Sequence, residues 1–347
     1  MPKTVRWGVL GSGGIARRRT IPEGIIPADN ADLTAVYDIN RTVNYEVAGA
    51  FGTKPVDSID DLLKAGIDAV YIATPANMHY EQVLACAKAG KHVLCEKPLG
   101  MTVDEARAMI AACEKAGVQL GTAFMMRYQT QHQAALKLIQ DGRLGKPAYA
   151  RAQLSCWYPP IEGAWRQDPA TGGGGSLMDM GGHCIDLLEM FFGPVREVSC
   201  FINSSVHAYK SEDSAVAMLR FENGALGSVD TFFCIPDNSS KNVLELYGSK
   251  GSVIASGTIG QGPAGQMTAY LEADAAGYDA TQSRPTGEGV PIAPTPVNTY
   301  QAEIEDFSRA LLEGRSLAPC AQAGLRSQQI LAACYESART GRTVTIA

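Results

Sequence analysis

Thr4-Val5-Arg6-Trp7-Gly8-Val9-Leu10-Gly11-Ser12-Gly13-Gly14-Ile15-Ala16 is the stretch that decides the fold. Its first seven residues form a short apolar, β-branched run, which stops at glycines and continues into three arginines, Arg17 to Arg19. That pattern reads as strand, glycine turn and helix. The turn fits G-x-G-x-x-G/A: Gly11 permits the tight turn, Gly13 lets a pyrophosphate approach the backbone, and Ala16 lets helix and strand pack closely. Free N–H groups of Ser12, Gly13, Gly14 and Ile15 at the helix start then face the phosphates. A purely structural glycine turn has the same look, so the downstream sequence carries the weight.

Leu33 to Tyr37 reads as a second short strand, ending in Asp38 at about the 20-residue distance where a ribose-binding carboxylate belongs. Asp38 would take both ribose hydroxyls, and a 2′-phosphate there would meet like charge, so NAD is expected over NADP. Arg41, three residues on, partly offsets that repulsion and keeps NADP as the alternative cofactor. The other reading of Asp38 is a helix cap in Asp38-Ile39-Asn40-Arg41.

The alternation then repeats. Asp60 to Ala65 has helical character, and Ala69 to Ala73 is an apolar strand ending in Thr74-Pro75-Ala76-Asn77-Met78-His79. Tyr80 to Ala89 is helical by spacing, and His92 to Cys95 is a strand that delivers Glu96-Lys97-Pro98. Thr102 to Ala116 is an amphipathic helix and Gln119 to Phe124 a strand leading into Met125-Met126-Arg127-Tyr128. Regular strand–helix alternation predicts a doubly wound parallel sheet, which binds ligands beyond the carboxyl ends of its strands. Lys97 there reads either as a turn lysine on the surface or as an ammonium with an anionic or hydroxyl partner.

With 347 residues, 46% hydrophobic and 19% charged, the chain suits two globular domains. A net charge of -6 argues against nucleic-acid or anionic-membrane partners, which need a positive field. The nine cysteines form no closely spaced pair, against a zinc ribbon or a disulfide framework. Residues 1 to 10 lack a signal-peptide pattern, and no apolar run approaches the roughly 18 residues of a membrane helix. A soluble, cytoplasmic protein is expected.

Ionisable groups concentrate in Gly172-Gly173-Gly174-Gly175-Ser176-Leu177-Met178-Asp179-Met180-Gly181-Gly182-His183-Cys184-Ile185-Asp186. In a helix beginning near Ser176, Asp179, His183 and Asp186 share one face. A metal site, an acid/base pair or a solvated helix face would each give this pattern. The metal reading lacks further histidine or cysteine ligands nearby, so no metal is expected. Upstream, Trp165-Arg166 sits in a proline-bearing loop where the tryptophan is either a packing anchor or a ligand contact. Tyr158 equally lines a sugar site or packs.

Taken together, Gly11 to Ala16, Thr74-Pro75 with His79, Glu96-Lys97-Pro98, Arg127-Tyr128, Trp165-Arg166 and Asp179-x-x-x-His183 resemble the glucose-fructose oxidoreductase, inositol dehydrogenase and rhizopine-catabolism (Gfo/Idh/MocA) superfamily. The likeness covers nearly the whole chain; one departure is Ala76 directly after Thr74-Pro75, with Asn77 following. The resemblance implies an α/β protein with a Rossmann NAD(P)-binding domain over residues 1–125. A substrate-binding and oligomerisation α+β domain follows over 126–347, with a large open, mostly antiparallel sheet. Its C-terminal helices are expected to pack back on the first domain.

Strands are expected near 148–155, 195–206, 214–221, 225–234, 241–247 and 252–255, an antiparallel meander with one face free for a homodimer or homotetramer. Residues 257–298 read as hairpins and a long loop, 131–140, 297–313 and 321–339 as helices, and 343–346 as a last strand.

The resemblance implies a nicotinamide-dependent oxidoreductase acting on a secondary hydroxyl or ketone of a sugar or cyclitol. Lys97, Asp179 and His183 are its candidate catalytic residues. His183 acts as the base, Asp179 shares the substrate hydroxyls or raises the His183 pKa by stabilising the imidazolium, Lys97 stabilises alkoxide charge, and Asp186 orients His183 or satisfies a nearby backbone group. The candidate cofactor set is Gly11, Ser12, Gly13, Gly14, Ile15, Asp38, Arg41, Thr74, Pro75, Asn77, His79, Glu96, Lys97, Arg127, Trp165 and Arg166. Lys97, Arg127, Tyr158, Asp179 and His183 are expected at the substrate. An NAD-assisted glycosidase and a non-catalytic ligand sensor are the rival functions.

Overall fold

The computed structural model describes residues 4–271, 280 and 287–346. Strand β1 (Val5–Leu10) is buried at all but one position, and Gly11 follows with φ +84, in the left-handed region. A Cβ on Gly11 would stand 2.8 Å from Thr74 and the Ala73 carbonyl carbon, so the turn requires glycine on both counts. Helix α1 (Ser12–Ile25) is π-wound, breaks helical geometry at Gly14 and contains Pro22, which has no N–H to donate.

The chain continues through β2 (Ala31–Tyr37), α2 (Arg41–Phe51), β3 (Lys54–Pro55), α3 (Ile59–Leu63) and β4 (Ala69–Ile72). Then come α4 (His79–Lys88), β5 (His92–Glu96), α5 (Val103–Ala116) and β6 (Leu120–Ala123). The six strands lie parallel in the order β3-β2-β1-β4-β5-β6. Side chains of Asn40, Ser58 and Thr102 cap the N-termini of α2, α3 and α5. The cap in Asp38-Ile39-Asn40-Arg41 is thus Asn40, which leaves Asp38 for the glycine turn. Only the cap reading of Asp38 touched on α2, and nothing in the spacing pointed to β3.

Helix α6 (Thr130–Gln140) leads to β7 (Pro147–Ser155), and α7 (Gly182–Phe192) is entered through a π-turn at Leu177–Gly181. The strands β8 (Val195–Asn203), β9 (Ser214–Phe221), β10 (Leu226–Phe232), β11 (Val243–Gly248), β12 (Gly251–Ser256), β13 (Gln266–Leu271) and β14 (Val290–Pro291) follow. Helices α8 (Thr299–Glu313) and α9 (Ala318–Thr340) and strand β15 (Val344–Thr345) close the chain. The second sheet has the order β14-β13-β12-β11-β7-β10-β9-β8-β15.

It is not the meander expected: β7 inserts between β10 and β11, parallel to the first and antiparallel to the second. Alternation within each strand is blind to which strand lies alongside, so the pattern fixed faces but not neighbours. Within the expected 257–298 hairpins and loop, β13 and β14 are seen, while 272–279 and 281–286 lie outside the described residues.

The inner face of this sheet packs Ala152, Leu219, Val229, Leu246 and Val253 against Ile185, Leu188 and Leu331 of α7 and α9. Its outer face carries Phe201, 79% exposed, with Val216, Met218, Leu226, Ile254 and Tyr270 also open to solvent.

Helix α8 returns to the first sheet: Ile304, Phe307 and Ala310 join the core around Trp7, Val9 and Tyr71. The Trp7 and Phe307 rings lie 5.2 Å apart, and the indole N–H donates to Ser308 Oγ at 3.1 Å. Phe307→Ala should therefore cost about 3–5 kcal/mol in urea unfolding and loosen α8 from the first sheet. A loss below about 1 kcal/mol would show that α8 is not part of that core.

Candidate active site

The carboxyl ends of β1, β4, β5 and β6 open onto a cleft of about 660 Å³, closed opposite by the end of β7 and by the π-turn leading into α7. Gly14 and Ile15 line it on the glycine-turn side. A Cβ on Gly14 would find only Ala73 O, at 4.0 Å, so the turn presents open backbone to the cleft. Gly13 serves a different purpose. Its N–H donates to Asp38 Oδ2 at 2.8 Å, and a Cβ there would lie 2.7 Å from Val43 Cγ1, so the carboxylate and α2 are what demand glycine. Ser12 is buried, and its hydroxyl oxygen finds no protein partner. Asp38 Oδ1 accepts the Asn40 N–H at 2.9 Å, while Arg41 lies over the Tyr45 ring. An exposed backbone cradle with a carboxylate at the end of β2 fits a dinucleotide.

Thr74 lines the cleft at the end of β4, and its hydroxyl donates to Gln82 Oε1. His79 does not reach the cleft: it is fully buried, with Nδ1 2.9 Å from Pro98 O and Nε2 3.0 Å from Thr74 O. It bridges the two strand-end turns, including the cis Lys97–Pro98 peptide, and its expected cofactor contact becomes a scaffold role. Asn77 is exposed in the short turn Ala76–Met78 and does not line the cleft.

The charged centre is built across the two sheets. Lys97 Nζ donates to Asp179 Oδ1 at 2.7 Å and to Asp179 O at 2.8 Å. Arg166 Nε donates to the same Oδ1 at 2.9 Å, with its guanidinium 4.1 Å from the centre of the Trp165 ring. The Lys97 and Asp179 side chains are 10% and 18% exposed, so the pair acts in low dielectric. Burial alone would raise the Asp179 pKa, but Arg166 and Lys97 override it and hold the carboxyl well below its usual range.

His183 lines the same cleft, edge-on to Phe124, and its buried Nδ1 has no protein partner. Burial, then the Lys97 and Arg166 charges, lower its pKa to about 3 against the opposing pull of Asp179. Asp179 was expected to raise it. Two cations already spend that carboxylate, so His183 is neutral at physiological pH.

Three expected residues stand apart from the cleft. Arg127 makes a two-pronged ion pair with Asp186, Nε to Oδ2 at 2.7 Å and Nη2 to Oδ1 at 2.6 Å. Asp186 is thereby taken by Arg127 and does not orient His183. Tyr158 packs on Phe233, ring centres 4.9 Å apart, with its hydroxyl toward Arg166. The glycine run Gly172–Gly175 is a place of close approach. The close approach is to the protein itself: a Cβ on Gly174 would meet Tyr335 Oη, and one on Gly175 would meet Glu212 O. Glu212 accepts the Gly175 and Leu177 N–H groups at 2.9 Å, and the Tyr335 hydroxyl at 2.9 Å.

The sequence reading missed Glu212 and Tyr335, and also Cys156, Asn242 and Tyr300 on the cleft wall. They come from separate elements without a motif; only the bulk-free Gly172–Gly175 run hinted that large side chains press there. Among the described residues, no group of three or more His, Cys, Asp or Glu is arranged to hold a metal. All nine cysteines are free, and no helix of the described residues is long and apolar enough to cross a membrane.

Residues 5–124 match the family model described as an oxidoreductase family with an NAD-binding Rossmann fold, and residues 132–254 match the GFO/IDH/MocA C-terminal domain. The chain is 30% identical to 1,5-anhydro-D-fructose reductase of Ensifer adhaerens over 98% of both chains. It is 32% identical to myo-inositol 2-dehydrogenase of Thermotoga maritima over 72% of this chain and 75% of that one. Among solved structures, aldose-aldose oxidoreductase from Caulobacter crescentus complexed with glycerol superposes with a TM-score of 0.87 at 27% identity, covering 99% of both chains. With this parallel sheet, this glycine turn and these matches along its length, the chain belongs to the Gfo/Idh/MocA family of NAD(P)-dependent sugar and cyclitol oxidoreductases.

Proposed function

We propose that this protein oxidises a secondary hydroxyl of a sugar or cyclitol, or reduces the matching ketone, with His183 as acid/base and Lys97 and Asp179 beside it. The observation that carries the reading is the convergence of Lys97, Asp179 and His183 at one end of a cleft whose other end is the open Gly14–Ile15 backbone. Gly11 to Ile15, Asp38, Thr74 and Glu96 would hold NAD, which when bound supplies the hydride acceptor or donor. Everything else falls to side chains. A neutral His183 is ready to take the hydroxyl proton without first losing one. The Lys97 ammonium keeps one N–H beyond its two bonds to Asp179, and donates it to the substrate oxygen as negative charge develops. Asp179 Oδ2 accepts from a neighbouring hydroxyl, which suits a polyol over a simple alcohol.

The apolar outer face of the second sheet supports self-association as a dimer or tetramer. Sedimentation velocity should then return at least twice the 36.9 kDa chain mass, and Phe201→Glu with Met218→Glu should return the monomer; a monomeric wild type would remove this part of the reading.

A panel of free sugars, cyclitols and glycosides with NAD and NADP, followed at the nicotinamide absorbance, tests the activity. NADH accumulation with a free polyol is expected, with NAD favoured by Asp38; glycoside cleavage without net NADH would point to the glycosidase reading instead. His183→Ala and Lys97→Met should each lower kcat by about 10²–10⁴-fold, and near-wild-type turnover in both would sink the assignment. Removing the Arg166 charge takes away one of the cations that depress His183 and leaves Asp179 less neutralised, and both changes act upward. In Arg166→Ala the imidazole should titrate at higher pH than about 3 by NMR, whereas an unmoved titration would mean the cluster does not set its charge.

A further inference from the structure

Beneath the cleft lies a buried chain of hydroxyls that the chemistry above does not use. Tyr71, on β4, is completely buried, and its hydroxyl stands 2.5 Å from Glu96 Oε1. Thr20 of α1, also fully buried, donates to that same phenol oxygen at 2.9 Å. With the phenol oxygen already accepting from Thr20, its own proton points at Glu96, so Tyr71 donates and the carboxylate accepts. Glu96 itself lines the cleft floor, directly before Lys97.

We propose that Tyr71 is a positioning residue: by donating to the Glu96 carboxylate it makes the site bind the oxidised, cationic nicotinamide more tightly than the reduced, neutral one. This rests on the reading that the nicotinamide lies over the β4 and β5 strand ends, between the glycine turn and Lys97. The two redox forms differ there by one positive charge, so an ionised carboxylate in a low-dielectric floor discriminates between them electrostatically. The groups facing Glu96 divide into two sets. Burial is the largest influence and on balance raises its pKa; Lys97 from its own turn, the Tyr71 hydroxyl from β4 and Arg166 from the loop across the cleft oppose that and favour ionisation. From α8, Tyr300 and Glu303 face it, and from β5 the neutral thiol of Cys95. Glu303 is 3% exposed with an unpartnered Oε1, and burial and the nearby Glu96 push its pKa well up, toward the neutral form. Tyr71 is thus the neutral donor whose loss weakens the ionised form without altering the formal charge of any group in the site.

The test is binding rather than turnover: dissociation constants of NAD⁺ and NADH, from tryptophan quenching and NADH emission, across pH 5 to 9. Tyr71→Phe should raise the ratio Kd(NAD⁺)/Kd(NADH) about fivefold or more at neutral pH. It should also move the pH at which NAD⁺ binding weakens relative to NADH upward, because Glu96 then takes a proton more readily. Thr20→Val, which frees the phenol from its fixed orientation, should do the same to a smaller extent and serves if Tyr71→Phe does not fold. Glu96→Gln should give the largest ratio with no pH dependence, and Tyr71→Phe added to it should change nothing more. An unchanged ratio and pH profile in the folded Tyr71 and Thr20 variants, or a Tyr71→Phe effect that persists in Glu96→Gln, overturns the proposal. Wild-type protein that binds neither nicotinamide form would instead overturn the underlying cofactor assignment.

Discussion

One carboxylate oxygen, Asp179 Oδ1, receives both Lys97 and Arg166, and the rest of the molecule is arranged so that this can happen. Lys97 comes from the carboxyl end of β5 in the first sheet, Asp179 from the π-turn above the second, and Arg166 from a loop between them. Two cations and one anion gathered with little solvent would be costly if any were unpaired. Their mutual pairing lets two separately built halves present one cleft. The elements behind them serve that placement: His79 ties the Thr74 and Lys97 turns, Glu212 holds the entry to α7, and Arg127–Asp186 anchors its next turn.

The same cluster explains why the charge state of His183 differs from that of the histidine in a simple Asp–His dyad. A carboxylate one turn away ordinarily raises an imidazole pKa, but a carboxylate already shared by two cations has little left to offer. Burial then decides, and the ring stays neutral. The local charge state thus follows from how many groups compete for Asp179 rather than from which residue is its sequence neighbour.

Much of this was legible in the residues. The parallel sheet followed from the strand–helix alternation because each period of apolar side chains maps directly onto one buried strand, and the turns after β1, β4 and β5 carry their chemistry in contiguous motifs. Lys97, Asp179 and His183 meet as expected because strand ends and helix turns have fixed directions. What escaped was whatever depends on partners far apart in the chain. Arg166 gave no sign of preferring Asp179, nor Asp186 of preferring Arg127 over His183, since helical spacing places a side chain on a face without naming what faces it. Gly174 and Gly175 make room for Tyr335 and Glu212, which nothing in the run itself names; absence of a side chain reads the same whichever neighbour requires it. The insertion of β7 was invisible for a similar reason.

That insertion governs how the chain can be made. Tyr149 on β7 and its neighbour Ser228 on β10 are 79 residues apart, and β11 lies farther still. The central strand of the second sheet is therefore synthesised long before either of its flanking partners exists. Closing such distant pairings is entropically unfavourable, so β8–β9–β10 and β11–β12–β13 can form as successive hairpins but are joined through β7 only late. The first sheet, whose strands pair mostly with near neighbours in the chain, has no such wait, though α8 joins its core only at the end. Nascent protein would pass through a stage with the first sheet paired, α8 not yet on it and β7 unpaired, whose Ala150, Ala152 and Leu154 are the surface most in need of protection from other chains.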